Sequence, residues 1–250
     1  EIIDVVLKSS GIPSPQSVPS SVSEVESGEV TNSTTPTATE RLEIARSLLE
    51  DADWSQTEAG SWEKEIDDNT VPLEITIRTA NNPTLETTLE LVANSWRELG
   101  VSVQTEQYEQ ADLVQSVIRP RDFSVLLFGL DVSRSRDLFP FWHSSQQNDP
   151  GLNITQYTNL TVDSYLELAR VSQDEVERDQ ATKDALEVIT AERPAIFLFQ
   201  PAHLYVIDPK INVTEVNQIG RPSDRFSNVM QWNTDKEELW PFFRTQVETQ

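Results

Sequence analysis

The alternation of short apolar strands with amphipathic helices between residues 73 and 129 constrains the fold more than any other feature. LEITIRT (73–79) alternates polar and apolar residues with a period of two, as half-buried strands do. VSVQTEQ (101–107) is a second predicted strand, and FSVLLFG (123–129) is a continuous apolar run, typical of a strand covered on both faces. Strands that are separated by helical crossovers pair in parallel, so the sequence predicts an α/β fold with a largely parallel sheet flanked by helices.

The first crossover carries the clearest helix signal in the chain. Asn82 is a predicted N-cap and Pro83 the first helical residue, because these positions favour these residue types. One apolar stripe at helical spacing contains Leu85, Leu89, Val92, Trp96 and Leu99. Gly100 marks the expected end of the helix, since glycine adopts the left-handed cap conformation without strain. The second crossover is predicted to be an amphipathic helix over residues 111–118.

Two further elements are predicted before this unit. ERLEIARSLLEDADW (40–54) reads as a helix followed by Trp54. The apolar face of this helix contains Leu42, Ile44, Ala45, Leu48 and Leu49. WEKEI (62–66) alternates as a half-buried strand does.

Helices and strands are also predicted after the sheet. One helix begins at Asp163, and another spans residues 174–191. The inward face of the second helix is predicted to contain Val176, Ala181, Ala185, Val188 and Ile189. AIFLFQ (195–200) and HLYVI (203–207) are expected to supply further buried strands.

Composition divides the chain into four parts. Residues 1–8 read as a short helix. Residues 9–39 are rich in Ser, Pro, Thr and Glu, and they have too few large apolar side chains to offset the entropy of ordering. We therefore predict a flexible loop or linker there. Residues 40–207 are predicted to form the α/β body, and residues 208–250 are poorly patterned.

The charge and the cysteine content exclude several function classes. The net charge is −23, from 42 acidic and 19 basic residues, which opposes binding to phosphate backbones, so no nucleic-acid partner is predicted. Cysteine is absent and His143 and His203 are the only histidines, which excludes a cysteine or histidine-rich metal site. No metal-binding residue and no cofactor are predicted. No apolar run approaches the roughly 18 residues of a membrane span. There is no initiator Met and no signal-peptide pattern, so we expect a piece of a longer protein.

Several short patterns follow one another in an order typical of one protein family. They are the opening helix with VLKSSGIPSPQSVPS, then EIARSLLEDADW, LEITIRT, ELVANSWRELGVSVQTEQ, FSVLLFG, NITQYTNLTVDSYLELARVSQDEVERDQ and ITAERPAIFLFQ. Each pattern alone is common, but their collinear order over nearly all of residues 1–233 is specific. The chain resembles the C-terminal lobe of bacterial peptide-binding proteins that serve ABC importers, the family-5 extracellular solute-binding proteins.

The resemblance implies a periplasmic-binding-protein-like (type II) lobe, one of two that close over a peptide. Residues 1–8 would then start near the hinge, and residues 208–250 would return toward the N-terminal lobe. It also implies an extracytoplasmic protein without catalytic activity that delivers a peptide ligand to an ABC permease in the membrane. We expect a monomer. Relatives that carry nickel chelates or sugars leave the cargo open, and a surface interaction module that has lost transport is a further alternative.

The loop after FSVLLFG is where a ligand is expected, because ligands in open α/β sheets bind beyond the carboxyl ends of the strands. In several family members an acid in this loop pairs with the amino terminus of the peptide, which makes Asp131 and Asp137 the candidates. Each could instead be an ordinary cap or loop carboxylate, with Arg134 or Arg136 as the partner of Asp137. A hydrolase that uses the two carboxylates is a rival hypothesis, but no sequence feature pairs them specifically.

An aromatic cluster, LFPFWH (138–143), follows this loop. Phe139, Phe141 and Trp142 could stack on ligand side chains, although aromatic residues at such spacing more often belong to the core. We expect two of the rings to pack under the loop and one, that of Trp142, to face the cleft. His143 is interpreted as a hydrogen-bonding loop residue, because a catalytic base needs a nucleophile and an orienting acid.

Asn153, Tyr157 and Asn159 match a family motif that lies close to this loop. Turn chemistry is favoured for Asn159, which together with Thr161 would order the start of the helix at Asp163. Tyr157 is kept as a candidate ligand contact. The predicted ligand-binding residues are Asp131, Asp137, Trp142 and Tyr157, with no catalytic and no metal-binding residue.

Overall fold

The computed structural model describes residues 2–7, 11–13, 36–130, 137–201, 204–214 and 222–234. It confirms the α/β class, since parallel strands alternate with helices through the middle of the chain. Asp131, Arg134 and Arg136 lie outside the described residues, as does most of the segment predicted to be a linker.

Among the described residues, the central sheet has three parallel strands, β5 (Glu74–Ala80), β6 (Ser102–Tyr108) and β7 (Val125–Leu126), in the order β6-β5-β7. Strands β5 and β6 pair along their whole lengths. FSVLLFG was predicted to be a longer strand than β7, and it is not covered on both faces, since Phe128 is exposed. The run is a short strand because it lies beside β5 at one side of the described sheet and only Val125 and Leu126 pair with that strand.

Helix α3, Pro83–Leu99, forms the first crossover as predicted. The side chain of Asn82 accepts hydrogen bonds from the backbone N–H groups of Thr84 (2.9 Å) and Leu85 (3.4 Å). Gly100 ends the helix with φ of 101°, which is the left-handed conformation expected there. Leu89, Val92 and Trp96 of the apolar stripe pack on the Ile77 side of the sheet.

The second crossover begins as α4, Gln110–Leu113, and continues as a π-helical turn, Val114–Ile118. Its buried residues Leu113 and Val117 pack around Ala80. Side chains of a strand alternate between faces, so Ile77 and Ala80 point to opposite sides of β5. The two crossovers therefore cover opposite faces of the same central strand.

A helix and a hairpin precede this sheet. Helix α2, Ala38–Asp51, begins with a capping box between Thr37 and Glu40. Its predicted inward face is partly wrong, because Ile44 and Leu48 are 53% and 62% exposed. An antiparallel sheet follows, formed by β2 (Ser55–Gln56), the predicted strand β3 (Trp62–Ile66), and β4 (Asn69–Pro72), which was not predicted.

A helical layer follows the central sheet. It contains α5 (Phe139–Trp142), α6 (Leu160–Val171) and α7 (Glu175–Glu192). The buried core of this layer is Leu138, Trp142, Val162, Leu166, Ala185 and Ile189. Val176 was predicted to face inward, but it is exposed in the first turn of α7.

The remaining strands are short. Helix α1 (Ile2–Val6) precedes strand β1 (Gly11–Pro13), which pairs antiparallel with β8 (Phe199–Pro201), so part of the predicted linker is paired. HLYVI is not a buried strand, since Leu204 and Val206 are exposed and residue 203 lies outside the described ranges. Strands β9 (Ile211–Asn212) and β10 (Asn233–Thr234) pair with each other. Within the described residues, no helix is long and apolar enough to cross a membrane.

Candidate functional site

The strand order defines a switch point at the carboxyl end of β5. The chain leaves β5 toward β6 on one side and returns past β5 to β7 on the other. In open α/β sheets, ligands bind where the order reverses in this way. The stretches that leave this edge are 81–82, residue 109 and 127–130. The predicted ligand loop therefore starts at the switch point.

Hydrogen bonds hold the chain as it leaves the edge. The Asn81 backbone N–H donates to the Tyr108 carbonyl at 2.6 Å, and its side-chain amide donates to Glu109 at 2.9 Å. On the other side, the Thr79 hydroxyl donates to the Leu127 carbonyl at 2.8 Å. The loop that begins at Phe128 is thus attached to a fixed point on the sheet.

Asp137 is occupied by an internal ion pair. Its carboxylate accepts from Arg170 Nε at 3.0 and 3.1 Å, makes a further close contact with the same guanidinium, and accepts from the Phe139 backbone N–H at 3.1 Å. The Arg170 guanidinium also lies 3.9 Å from the centre of the Phe139 ring. Arg134 and Arg136, the partners considered for Asp137, lie outside the described residues, and Arg170 on α6 is a partner that the described residues show.

Trp142 lies in the core and does not face a cleft. It is 4% exposed, and its ring centroid is 6.1 Å from those of Tyr157 and Phe197. Phe139 and Phe141 are half-buried around it. The expectation for Trp142 was wrong because α5 is one turn lying on α6 and α7, and the largest apolar side chain of that turn fills the space between them.

His143 orders the turn after α5. It is 7% exposed, its ring stacks on Phe139 at 3.9 Å, and its Nδ1 accepts the backbone N–H of Ser145 at 3.1 Å. Among the described residues, Nε2 has no hydrogen-bond partner, although Glu167 lies 3.4 Å away and Asp163 3.9 Å away. Because Nδ1 serves as an acceptor for the backbone, the turn role predicted for His143 agrees with this geometry.

Tyr157 and Asn159 are both bonded to Glu192 at the end of α7. The Tyr157 hydroxyl donates to the Glu192 carboxylate, and Asn159 Nδ2 donates to it at 2.8 Å. Burial, and then the bond to Glu192, raise the pKa of the Tyr157 hydroxyl well above its ordinary value. Asn159 also caps α6 through the Thr161 N–H at 2.9 Å, so its predicted turn role is correct and the helix starts at Leu160, before Asp163.

A polar network on the face of the sheet was not predicted from the sequence. Arg78 Nε donates to Glu106 at 2.8 Å, and the Tyr108 hydroxyl donates to the same carboxylate at 2.6 Å. These two donors, Tyr108 first, lower the pKa of Glu106. Arg78 and Glu106 are register partners in β5 and β6, so a register assignment would have revealed this pair.

A second missed residue is Arg121, which links the sheet to the loop before α6. Its guanidinium donates to the carbonyl oxygens of Ile118 (2.6 Å), Gly151 (2.7 Å) and Gln147 (3.0 Å). Three carbonyl partners make it a clamp between the end of the second crossover and residues 147–151. Nothing local in the sequence marks it. In the part of the chain that is described, no three His, Cys, Asp or Glu residues are grouped to hold a metal ion.

These features define a class: an α/β lobe in which parallel strands alternate with helices and a switch point lies at the carboxyl end of the central strand. Three solved structures share the fold. The oligopeptide-binding protein AppA from Bacillus subtilis, in complex with a nonapeptide, is 21% identical, covers 94% of this chain and 45% of its own, and has a TM-score of 0.67. An oligopeptide-binding protein from Thermus thermophilus, complexed with a pentapeptide, is 18% identical, covers 80% of this chain and 35% of its own, and has a TM-score of 0.66. NikZ from Campylobacter jejuni, in complex with Ni(L-His), is 20% identical, covers 93% of this chain and 45% of its own, and has a TM-score of 0.64.

The chain belongs to the bacterial extracellular solute-binding proteins of family 5. The family model described as "Bacterial extracellular solute-binding proteins, family 5 Middle" matches residues 1–151. A comparison with curated protein sequences finds no match. The chain spans less than half the length of the three solved relatives.

Proposed function

We propose that the chain is one lobe of an extracytoplasmic solute-binding protein that captures peptides and delivers them to an ABC importer. The observation that carries this proposal is the family match over residues 1–151. Similarity to two peptide-bound structures supports a peptide as the cargo. The switch point at the end of β5 supports the loop after β7 as the working edge of the lobe.

Within this proposal the candidate residues take different roles. Asp131 is the acid that we propose for the amino terminus of the peptide. Asp137, which is paired with Arg170, fixes the far end of the same loop. Trp142 is packed in the helical layer and Tyr157 is bonded to Glu192 there, so we propose that both act by holding the residues that follow the loop.

A single lobe offers half of an enclosed site, so we expect weak peptide binding by residues 1–250 alone. Enclosure excludes water and supplies most of the affinity of such clamps. We also propose that the domain runs over residues 40–207, that the protein is a monomer without catalytic activity, and that it binds no nucleic acid. The net charge of −23 supports the last point.

The test is to purify the longer parent protein, denature it, and identify the released ligand by mass spectrometry. Peptides in the released fraction are the expected result. Calorimetry with a synthetic nonapeptide then compares the parent with its Asp131→Asn variant, which should bind at least about tenfold more weakly because a charged partner is lost. Asp179→Asn, an exposed acid on α7, is the matched control and should bind normally. Equal binding by all three proteins would remove Asp131 from the site.

A nickel chelate is the second candidate, favoured by the similarity to NikZ over 93% of this chain. A chelate brings its own ligands, so it requires no cluster of protein ligands. Elemental analysis of the parent protein distinguishes the two cargoes: stoichiometric nickel would replace the peptide proposal.

A further inference from the structure

The chain contains the triplet Asn-x-Thr at three described positions, and the structure separates them sharply. This triplet is the acceptor for N-linked glycans, provided that the asparagine amide can reach the transferring enzyme. The positions are Asn153, Asn159 and Asn212. The inference rests on the proposed extracytoplasmic location, where glycan transfer takes place.

Asn153 is inaccessible. It is completely buried, and its Nδ2 donates to the carbonyl oxygens of Tyr157 (2.9 Å) and His143 (3.2 Å). Its Oδ1 accepts from the Tyr157 backbone N–H at 3.1 Å. Modification would break this network and require space for a sugar in the core, so the folded chain cannot carry a glycan there.

Asn159 is committed to helix capping. Its Oδ1 receives the N–H groups of Thr161 and Val162 at 2.9 and 3.2 Å. Its Nδ2, the atom to which a glycan would be attached, donates to Glu192 at 2.8 Å. A sugar on Nδ2 would separate Asn159 from Glu192 and crowd the adjoining Tyr157 hydroxyl, which is bonded to the same carboxylate.

Asn212 differs from both in its exposure and in the shortness of the element that contains it. Asn212, Val213 and Thr214 are all exposed, so the whole triplet is open to solvent. Asn212 lies in β9, which has two residues and pairs with the equally short β10. Its Nδ2 bonds to the side chain of Asn233 at 3.1 Å, and that residue is also exposed. A two-residue pairing opens at small cost, which lets the triplet enter an enzyme groove.

We propose that Asn212 is an N-glycosylation site and that Asn153 and Asn159 are not modified. In the transfer step, the Asn212 amide nitrogen bonds to the anomeric carbon of an oligosaccharide carried on a polyprenyl phosphate or diphosphate. The bond between that carbon and the phosphate oxygen breaks, the lipid phosphate leaves, and the amide proton passes to a base. The donor lipid and a membrane-bound transferase are the co-reactants.

The test uses the full-length parent protein isolated from its native cells. Proteolysis followed by tandem mass spectrometry should find a sugar mass on the peptide containing Asn212 and the unmodified masses for the peptides containing Asn153 and Asn159. The variant Thr214→Ala should lose this sugar mass, whereas Thr214→Ser should retain it, because the hydroxyl is what the enzyme requires. An unmodified Asn212 peptide overturns the proposal, and so does a glycan on Asn153 or Asn159.

A peptide-release measurement on the same preparation separates this inference from the proposed function. Thr214→Ala should release the same ligand as the unchanged protein, since Asn212 lies in the β9–β10 pair and not at the carboxyl edge of β5. Failure to find released peptides would refute the proposed cargo. It would not affect the glycan inference, which depends only on the masses of the proteolytic fragments that contain Asn153, Asn159 and Asn212.

Discussion

The carboxylate of Asp137 and the guanidinium of Arg170 form a multidentate ion pair that ties the entry to α5 to the last turn of α6. The two residues are 33 positions apart in the sequence. Since the Arg170 guanidinium also lies over the Phe139 ring, the same side chain contacts both the Asp137 carboxylate and the face of that ring. The end of the proposed ligand loop is fixed by this contact.

Removal of the Arg170 side chain should therefore destabilise the fold. We expect Arg170→Met to lower the free energy of unfolding by about 1–2 kcal/mol, because the pair is bidentate but partly exposed. Arg170→Lys should recover only part of the loss, since an ammonium cannot reproduce the planar contacts. Urea unfolding followed by circular dichroism measures both. Arg46→Met, on the exposed side of α2, is the control and should change stability by less than about 0.5 kcal/mol.

Asn153 should be one of the most sensitive polar positions. Its amide makes hydrogen bonds to Tyr157 and His143 in the complete absence of solvent contact. Asn153→Ala leaves these backbone groups unsatisfied, and we expect a loss of about 2–4 kcal/mol. Asn94→Ala, where an exposed asparagine accepts from Arg97, is the control and should cost well under about 1 kcal/mol. A similar loss in both variants would contradict the burial argument.

Three glycines differ in whether an added Cβ would be strained by a positive φ, by a steric clash, or by neither, so their alanine variants should differ in stability. A Cβ at Gly100 would lie 2.2 Å from the Gly60 carbonyl oxygen, and Gly100 has a φ of 101°. Gly60 has a φ of 85° but open space, and Gly129 has open space without a positive φ. We expect substitution by alanine to be nearly neutral at Gly129, to cost about 1 kcal/mol at Gly60, and to cost clearly more at Gly100. Thermal unfolding of the three variants should give this order, and any other order would refute it.

Acidification should weaken the contribution of Glu106. The Tyr108 hydroxyl and the Arg78 guanidinium lower the pKa of Glu106 below its ordinary value of 4.5. A carboxyl with a lowered folded pKa stabilises the protein above the unfolded pKa and loses this effect as the pH falls through the folded pKa. The stability advantage of the unchanged protein over Glu106→Gln should be constant near neutral pH and shrink below about pH 4.5. An advantage that grows on acidification would contradict this sign.

Local signals in the sequence were sufficient for the crossover unit. The helix over Pro83–Leu99 was predicted with both ends, because Asn82, Pro83 and Gly100 act through bonds within a few residues. The strands at 74–80 and 102–108 followed from periodicity for the same reason. The α/β class was consequently predictable without any tertiary information.

Features that depend on distant neighbours were missed or misjudged. Trp142 is buried because α6 and α7 close around it, and the spacing of aromatic residues alone does not show which ring is covered. The apolar run 123–129 is mostly unpaired because only β5 lies beside it among the described strands. Arg170 and Arg121 act through partners that are separated from them by many residues, so neither was identified as a contact residue.

The central position of β5 has a consequence for how such a lobe can diverge. Its two crossovers bury opposite faces of one strand, so the core that sustains folding lies behind the edge from which the loops depart. Insertions and substitutions beyond that edge then alter recognition at little energetic expense to the scaffold. The stretches beyond that edge can therefore vary in length and sequence while the same two-sided interior is kept.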